Sequence, residues 1–144
     1  MKYRRIMIAI DNSDEAHKVI EAAIDASHPE AEFHLVTVVQ PLSNIYGNMV
    51  WSPVASDTQS IEESIIGQSK IRLAEVCDTY NLPKDNNHVL LGSTASQIRE
   101  AATNIKAELI VIGTHGRHGM GLIMGSTANS VLHGVNTDVL VIRL

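Results

Sequence analysis

Short apolar runs alternate with amphipathic stretches from one end of the chain to the other. Arg5–Ile10 is an isoleucine-rich run whose continuous apolar character predicts a buried strand. Asn12, followed three residues later by Glu15, has the spacing of a capping box. Ala16, Ile20, Ala23 and Ile24 then recur on one helical face, and His28-Pro29 closes that helix. Phe33–Val39 predicts a second strand. Ser60 with Glu63 opens a long helix to about Tyr80, its apolar face being Ile66, Leu73, Val76, Cys77 and Tyr80.

The second half repeats the alternation. His88–Leu91 predicts a third strand, and Thr94 with Gln97 caps a helix whose face is Ala95, Ile98, Ala102 and Ile105. Leu109–Ile112 predicts a fully apolar fourth strand. A short helix with Ala128, Val131, Leu132 and Val135 on one face follows, then a fifth strand over Asp138–Leu144. Strand and helix alternating five times predict an α/β fold: one open five-stranded parallel sheet, Rossmann-like, with helices on both faces. No internal repeat or linker interrupts the chain, so a single domain spanning 1–144 is expected. The irregular stretch is Pro41–Asp57, which carries Tyr46 and Trp51; a loop of that length is commonly functional.

Composition narrows the function. The 144 residues are 44% hydrophobic and 19% charged, with a net charge of −5, and Lys and Arg are scattered rather than clustered. A phosphate-neutralising stripe for nucleic acid is therefore absent from the sequence. One Phe, one Trp and three Tyr do not make a base-stacking platform. No apolar run reaches the roughly 20 residues of a membrane span, and the run after Met1-Lys2-Tyr3-Arg4-Arg5 stops at Asp11, short of a signal-peptide core. The one cysteine, Cys77, lies on an apolar helix face; a free thiol without an export signal points to the cytoplasm.

Candidate chemistry lies after strands one and four, where an open parallel sheet binds its ligands. Asp11 follows strand one; its carboxylate can accept from sugar hydroxyls or help hold a metal ion. After strand four, six of the nine glycines fall between Gly113 and Gly134. Glycine permits positive φ and lets backbone N–H groups approach an anion. Gly125-Ser126-Thr127 starts a helix whose N-terminal N–H groups and hydroxyls suit a phosphate chain. Gly125 is followed by Ser126 rather than by a lysine, so this is not a Walker loop, and Arg117 is the cation within it. Nothing obvious stabilises a leaving phosphoryl group, which favours binding over turnover. His115 and His118 lack further metal ligands and read as polar lining. No Gly-x-Ser-x-Gly nucleophile elbow occurs.

These residues resemble the universal stress protein family. The resemblance covers the whole chain and rests on Ile6-Met7-Ile8-Ala9-Ile10-Asp11-Asn12-Ser13, on Val111-Ile112-Gly113-Thr114-His115-Gly116 with Gly125-Ser126-Thr127, and on Asp138-Val139-Leu140-Val141-Ile142. Eight residues separate Gly116 from Gly125, one fewer than in the nucleotide-binding branch of that family. The resemblance implies strand order 3-2-1-4-5 and an ATP site, with or without Mg2+. By position, Ala9 and Ile10 would meet the adenine, Val38 would offer it backbone hydrogen bonds, and Asp11 would meet the ribose. Gly113, Gly116, Gly125, Ser126 and Thr127 would hold the phosphates. It also implies a homodimer through the fifth strand, Val139–Ile142, an apolar edge with no element left to cover it.

The expected function is therefore an ATP-binding stress-response regulator with slow or no hydrolysis. The alternative is a nucleotide-free dimeric interaction protein of the same fold. A phospho-acceptor receiver would need an aspartate ending a later strand, where Leu91-Gly92 stands, and a lysine near the last strand, which carries Arg143. An ATP pyrophosphatase would need Ser-Gly-Gly after strand one, where the chain has Asp11-Asn12-Ser13.

Overall fold

The computed structural model describes residues 2–41, 55–114 and 126–144, with side chains from residue 59 onward in the second span. Five strands, β1 (Tyr3–Ala9), β2 (Ser27–Val39), β3 (Asn87–Leu91), β4 (Leu109–Gly113) and β5 (Asp138–Ile142), form one sheet in the order β3-β2-β1-β4-β5. Every pairing is parallel. Four helices are described: α1 (Ala16–Ala26), α2 (Ala55–Tyr80), α3 (Thr94–Asn104) and α4 (Ser126–Gly134).

The period-2 geometry of β1 sorts its side chains onto two cores. Ile6, Ile8 and Ile10 pack with Ala16, Val19, Ile20 and Ala23 of α1 and Leu73, Val76 and Cys77 of α2. Met7 and Ala9 face the other way, onto Ile98 and Ala102 of α3 and Ala128 and Val131 of α4. A strand buried on both faces must be apolar throughout, which is why β1 and β4 show no alternation in sequence. Cys77 is buried, and its thiol contacts the Asn87 side-chain oxygen at 3.3 Å.

Several expected boundaries move. The capping box at Asn12 does not form: α1 starts at Ala16, with Glu15 at the N-cap position and no side-chain cap. Asp11 Oδ1 instead accepts the Ser13 N–H at 2.9 Å, so the chain makes a side-chain-stabilised turn before the helix begins. The Thr94 cap is likewise displaced. Ser93 occupies the N-cap position of α3 with no side-chain cap, and Thr94 Oγ1 accepts from Gln40 Nε2 at 3.3 Å. Helix α2 begins at Ala55, inside the stretch expected to be loop up to Asp57. No proline or glycine lies between Pro53 and Gly67, so nothing local stops the helix from extending backward. Residues 42–54 of that expected loop, with Tyr46 and Trp51, lie outside the described residues. Leu132, expected on the buried face of α4, is 43% exposed.

The β2–β3 seam joins two histidines to which sequence spacing gives no role. His34 is buried; its Nε2 lies 2.7 Å from Glu32 Oε1 and its Nδ1 lies 3.1 Å from His88 Nε2. Arg5 of β1 adds its Nε at 3.4 Å from Glu32 Oε2. Burial pushes the His88 imidazole below the usual histidine range, and the charge of His34 adds to this. The hydrogen bond with His34, together with Arg5, lowers the Glu32 carboxyl. Both groups bind protons more readily in the unfolded chain, so the linked stability rises with pH. For His88 that contribution is complete above the unfolded histidine value of about 6.5 and is lost as pH falls through the lower folded value. The urea midpoint of the wild type is expected to fall between neutral and mildly acidic pH, and the His88→Gln midpoint to fall less. Equal slopes for the two proteins would contradict this.

Candidate functional site

The strand order reverses direction between β1 and β4, and this places a crevice at their carboxyl ends. A cavity of about 290 Å3 occupies it. Of the nine residues singled out from the sequence, Ala9, Ile10, Asp11, Val38, Gly113 and Thr127 line this one cavity. Ser126 stands beside Thr127 as the first residue of α4 and is exposed. Gly116 and Gly125 lie outside the described residues, as do His115, Arg117 and His118.

Each wall has a local cause. The Ile10 N–H donates to the Val36 carbonyl at 3.0 Å, and the Ile10 carbonyl accepts the buried Thr37 hydroxyl at 3.0 Å. These bonds close the end of β1 and release Asp11 into the turn. The Ile10–Val36 bond also shows that the Val36 backbone faces β1. Backbone direction repeats every two residues, so Val38 turns its N–H and C=O to the same side. β1 has already ended at Ala9, leaving that side of Val38 toward the cavity.

Gly113 has a spatial reason to be glycine. It ends β4 without the positive φ that the glycine-rich composition had implied. A Cβ there would stand 2.6 Å from Leu144 Cδ1 and 3.1 Å from Val19 Cγ2. The Leu144 N–H donates to Thr114 Oγ1 at 3.2 Å, and the Thr114 N–H donates to the Ile142 carbonyl at 2.8 Å, which folds the C-terminal residue back over the glycine.

The cavity lining is mostly apolar, with a few polar side chains. Ala9, Ile10, Val36, Val38, Ile98 and Ile112 supply the apolar lining. Asp11 also lines it, as does Thr127 in the first turn of α4. The unpaired N–H groups and positive dipole end of a helix favour an anion there. Gln40 and Thr94, hydrogen-bonded to each other, both reach the lining. Sequence reasoning gave Thr94 only a capping role and gave Gln40 and Leu144 none. They come from strand and helix ends whose meeting depends on the sheet order. Among the described residues, no group of three or more His, Cys, Asp or Glu is arranged to hold a metal ion. No helix among them is long and apolar enough to cross a membrane.

Comparison with known proteins agrees with this fold. Universal stress protein A homolog 1 of Coxiella burnetii is 33% identical over 143 residues, covering 99% of this chain and 97% of that protein. Among solved structures, the hypothetical protein MJ0577 superposes with a TM-score of 0.81 at 16% identity, covering 100% of this chain and 98% of the other. A universal stress protein in complex with cAMP superposes with a TM-score of 0.69 at 21% identity, covering 99% and 98%. The profile of the universal stress protein family matches residues 2–143. The chain belongs to the universal stress protein family.

Proposed function

We propose that this protein binds an adenine nucleotide in the crevice between β1 and β4 and acts as a stress-response regulator that turns the nucleotide over slowly or not at all. One observation carries the reading: a mostly apolar cavity lined by Ala9, Ile10 and Val38 is lined also by Asp11 and by Thr127 in the first turn of a helix. The cavity suits a purine ring, with the Val38 backbone facing its edge. The Asp11 carboxylate suits ribose hydroxyls, and Gly113, Gly116, Gly125, Ser126 and Thr127 suit phosphates. Asp11 is the titratable side chain among the described lining residues, so the described site offers no acid–base pair for attack on a phosphoryl group. The cAMP complex of a structural relative supports a nucleotide ligand. ATP is the nucleotide proposed here.

We read the protein further as a single domain over 1–144 that works in the cytoplasm and pairs through β5 as a homodimer. Among the described residues β5 is hydrogen-bonded to β4 on one side only, and Val139, Leu140, Val141 and Ile142 are each half-buried in the single chain.

The test begins with freshly purified protein. It is denatured, and the released nucleotide is counted per subunit by ion-exchange chromatography. Emptied protein is then titrated with ATP, with and without Mg2+, by calorimetry. About one nucleotide per subunit is expected. Asp11→Ala is expected to weaken binding by roughly tenfold to a hundredfold, the worth of hydrogen bonds to a charged acceptor. Ser126→Trp, which blocks the start of α4, should abolish binding. No bound nucleotide and no heat would overturn the nucleotide reading and leave the dimer as the functional unit.

A further inference from the structure

Helices α3 and α4 both supply walls to the crevice: Thr94 and Ile98 of α3 and Thr127 of α4 line it. Ile98 and Ala102 on one helix and Ala128 and Val131 on the other share one core. Apolar packing is non-directional. It sets which face α4 buries more firmly than how far the helix stands along its own axis.

Arg99 supplies a directional contact between the two helices. It follows Ile98 on α3 and is half-buried. Its Nη1 donates to the Ser130 carbonyl of α4 at 2.9 Å, and its Nη2 donates to Ser96 Oγ at 3.3 Å. A charged donor at such a distance makes one of the stronger side-chain hydrogen bonds. Ser96 lies about one turn earlier on α3, so the guanidinium fork is anchored on its own helix and reaches across to the other. The contact falls toward the C-terminal end of α4, which runs Ser126–Gly134. A cation is favoured at that end of a helix, as an anion is at the other.

Gly134 makes room for the arginine stem. A Cβ on Gly134 would stand 2.3 Å from Arg99 Cδ and 2.7 Å from its Nε. Gly134 has no positive φ, so space rather than conformation asks for glycine here.

We propose that Arg99 is a positioning residue for the nucleotide: it staples α4 to α3 through Ser130 and so fixes the first turn of α4, with Ser126 and Thr127, where it meets the phosphates. This role rests on the nucleotide reading of the crevice. Arg99 is not among the residues that line the crevice, and it acts through α4. The base and sugar, assigned to Ala9, Ile10, Val38 and Asp11, are held by β1, β2 and the turn after β1, which the staple does not touch.

The test compares ATP with adenosine, which has no phosphates, on the full chain. Affinities are measured by calorimetry for ATP and by ligand-observed NMR for adenosine. Arg99→Met keeps an unbranched apolar stem and removes the fork. Gly134→Ala keeps the arginine but drives its stem off α4, while alanine is the better helix former. In each variant ATP is expected to bind about tenfold more weakly, within the usual reach of a substitution that does not touch the ligand, and adenosine to stay within about twofold of wild type. The double variant is expected to lose no more than either single one, because both remove the same contact. Arg99→Lys, which keeps the charge and a donor, should retain part of the ATP affinity. Equal losses for ATP and adenosine would make Arg99 a general support of the fold and overturn the proposal. Unchanged ATP affinity in Arg99→Met and Gly134→Ala would overturn it while leaving the nucleotide reading in place. A wild type that binds neither compound would overturn the nucleotide reading and this role with it.

Discussion

Gly113→Ala is expected to cost about 1–3 kcal/mol of stability, the usual penalty for forcing a methyl group into packed surroundings. The new Cβ would meet Leu144 at 2.6 Å and Val19 at 3.1 Å. Val19 is 2% exposed and β-branched, so it has little room to yield, and Leu144 must move. The two sites are therefore coupled. In a double-mutant cycle, Leu144→Ala should restore most of the stability that Gly113→Ala removes, with an interaction energy on the order of 1 kcal/mol or more. Additive effects, measured by urea unfolding, would show that the glycine answers to something other than space. The cycle also bears on the proposed ligand. Both residues line the crevice, so Gly113→Ala should weaken ATP binding as well. Recovery of stability in the double variant without recovery of binding would indicate a close approach of ligand to the Gly113 backbone.

Val141→Pro is expected to convert the proposed dimer to monomer. The Thr114 N–H donates to the Ile142 carbonyl, so the Ile142 backbone faces β4, and by alternation the Val141 backbone faces the open edge. Proline at 141 removes an outward N–H and leaves the β4–β5 bonds intact, whereas proline at 142 would break them. Light scattering should show the mass halved for Val141→Pro with little change in circular dichroism. Ile142→Pro should instead lower the stability of the chain itself. An unchanged mass for Val141→Pro would remove β5 as the interface. The contrast between adjacent residues separates an edge effect from general damage to the strand.

The unbroken apolar runs Ile6–Ile10 and Leu109–Ile112 identify strands buried on both faces, because only a covered parallel strand can hide every side chain. The helical faces at Ala16, Ile20 and Ala23, and at Ile98 and Ala102, were legible for the same reason: period alone determines which positions turn inward. The loops after strands one and four were legible as candidates from their composition; that they meet at one crevice rested on the strand order that the family resemblance implied. Helix starts were less so. Asn12 and Thr94 have the composition of caps, but side-chain oxygens choose among nearby donors, and here Asp11 takes the Ser13 amide while Thr94 pairs with Gln40.

What tertiary structure alone decided are the meetings between residues far apart in the chain. His34 and His88 are 54 positions apart, and parallel register brings them to 3.1 Å. Arg72 reaches Ser13 across 59 positions. Leu144 folds onto Gly113, giving that glycine a reason unrelated to its neighbours' composition. Periodicity and turn chemistry act over a few residues, so the chain by itself determines the elements, their inward faces and the end of the sheet where ligands bind. Which distant polar groups share a wall follows from register and sheet order, which local pattern does not encode.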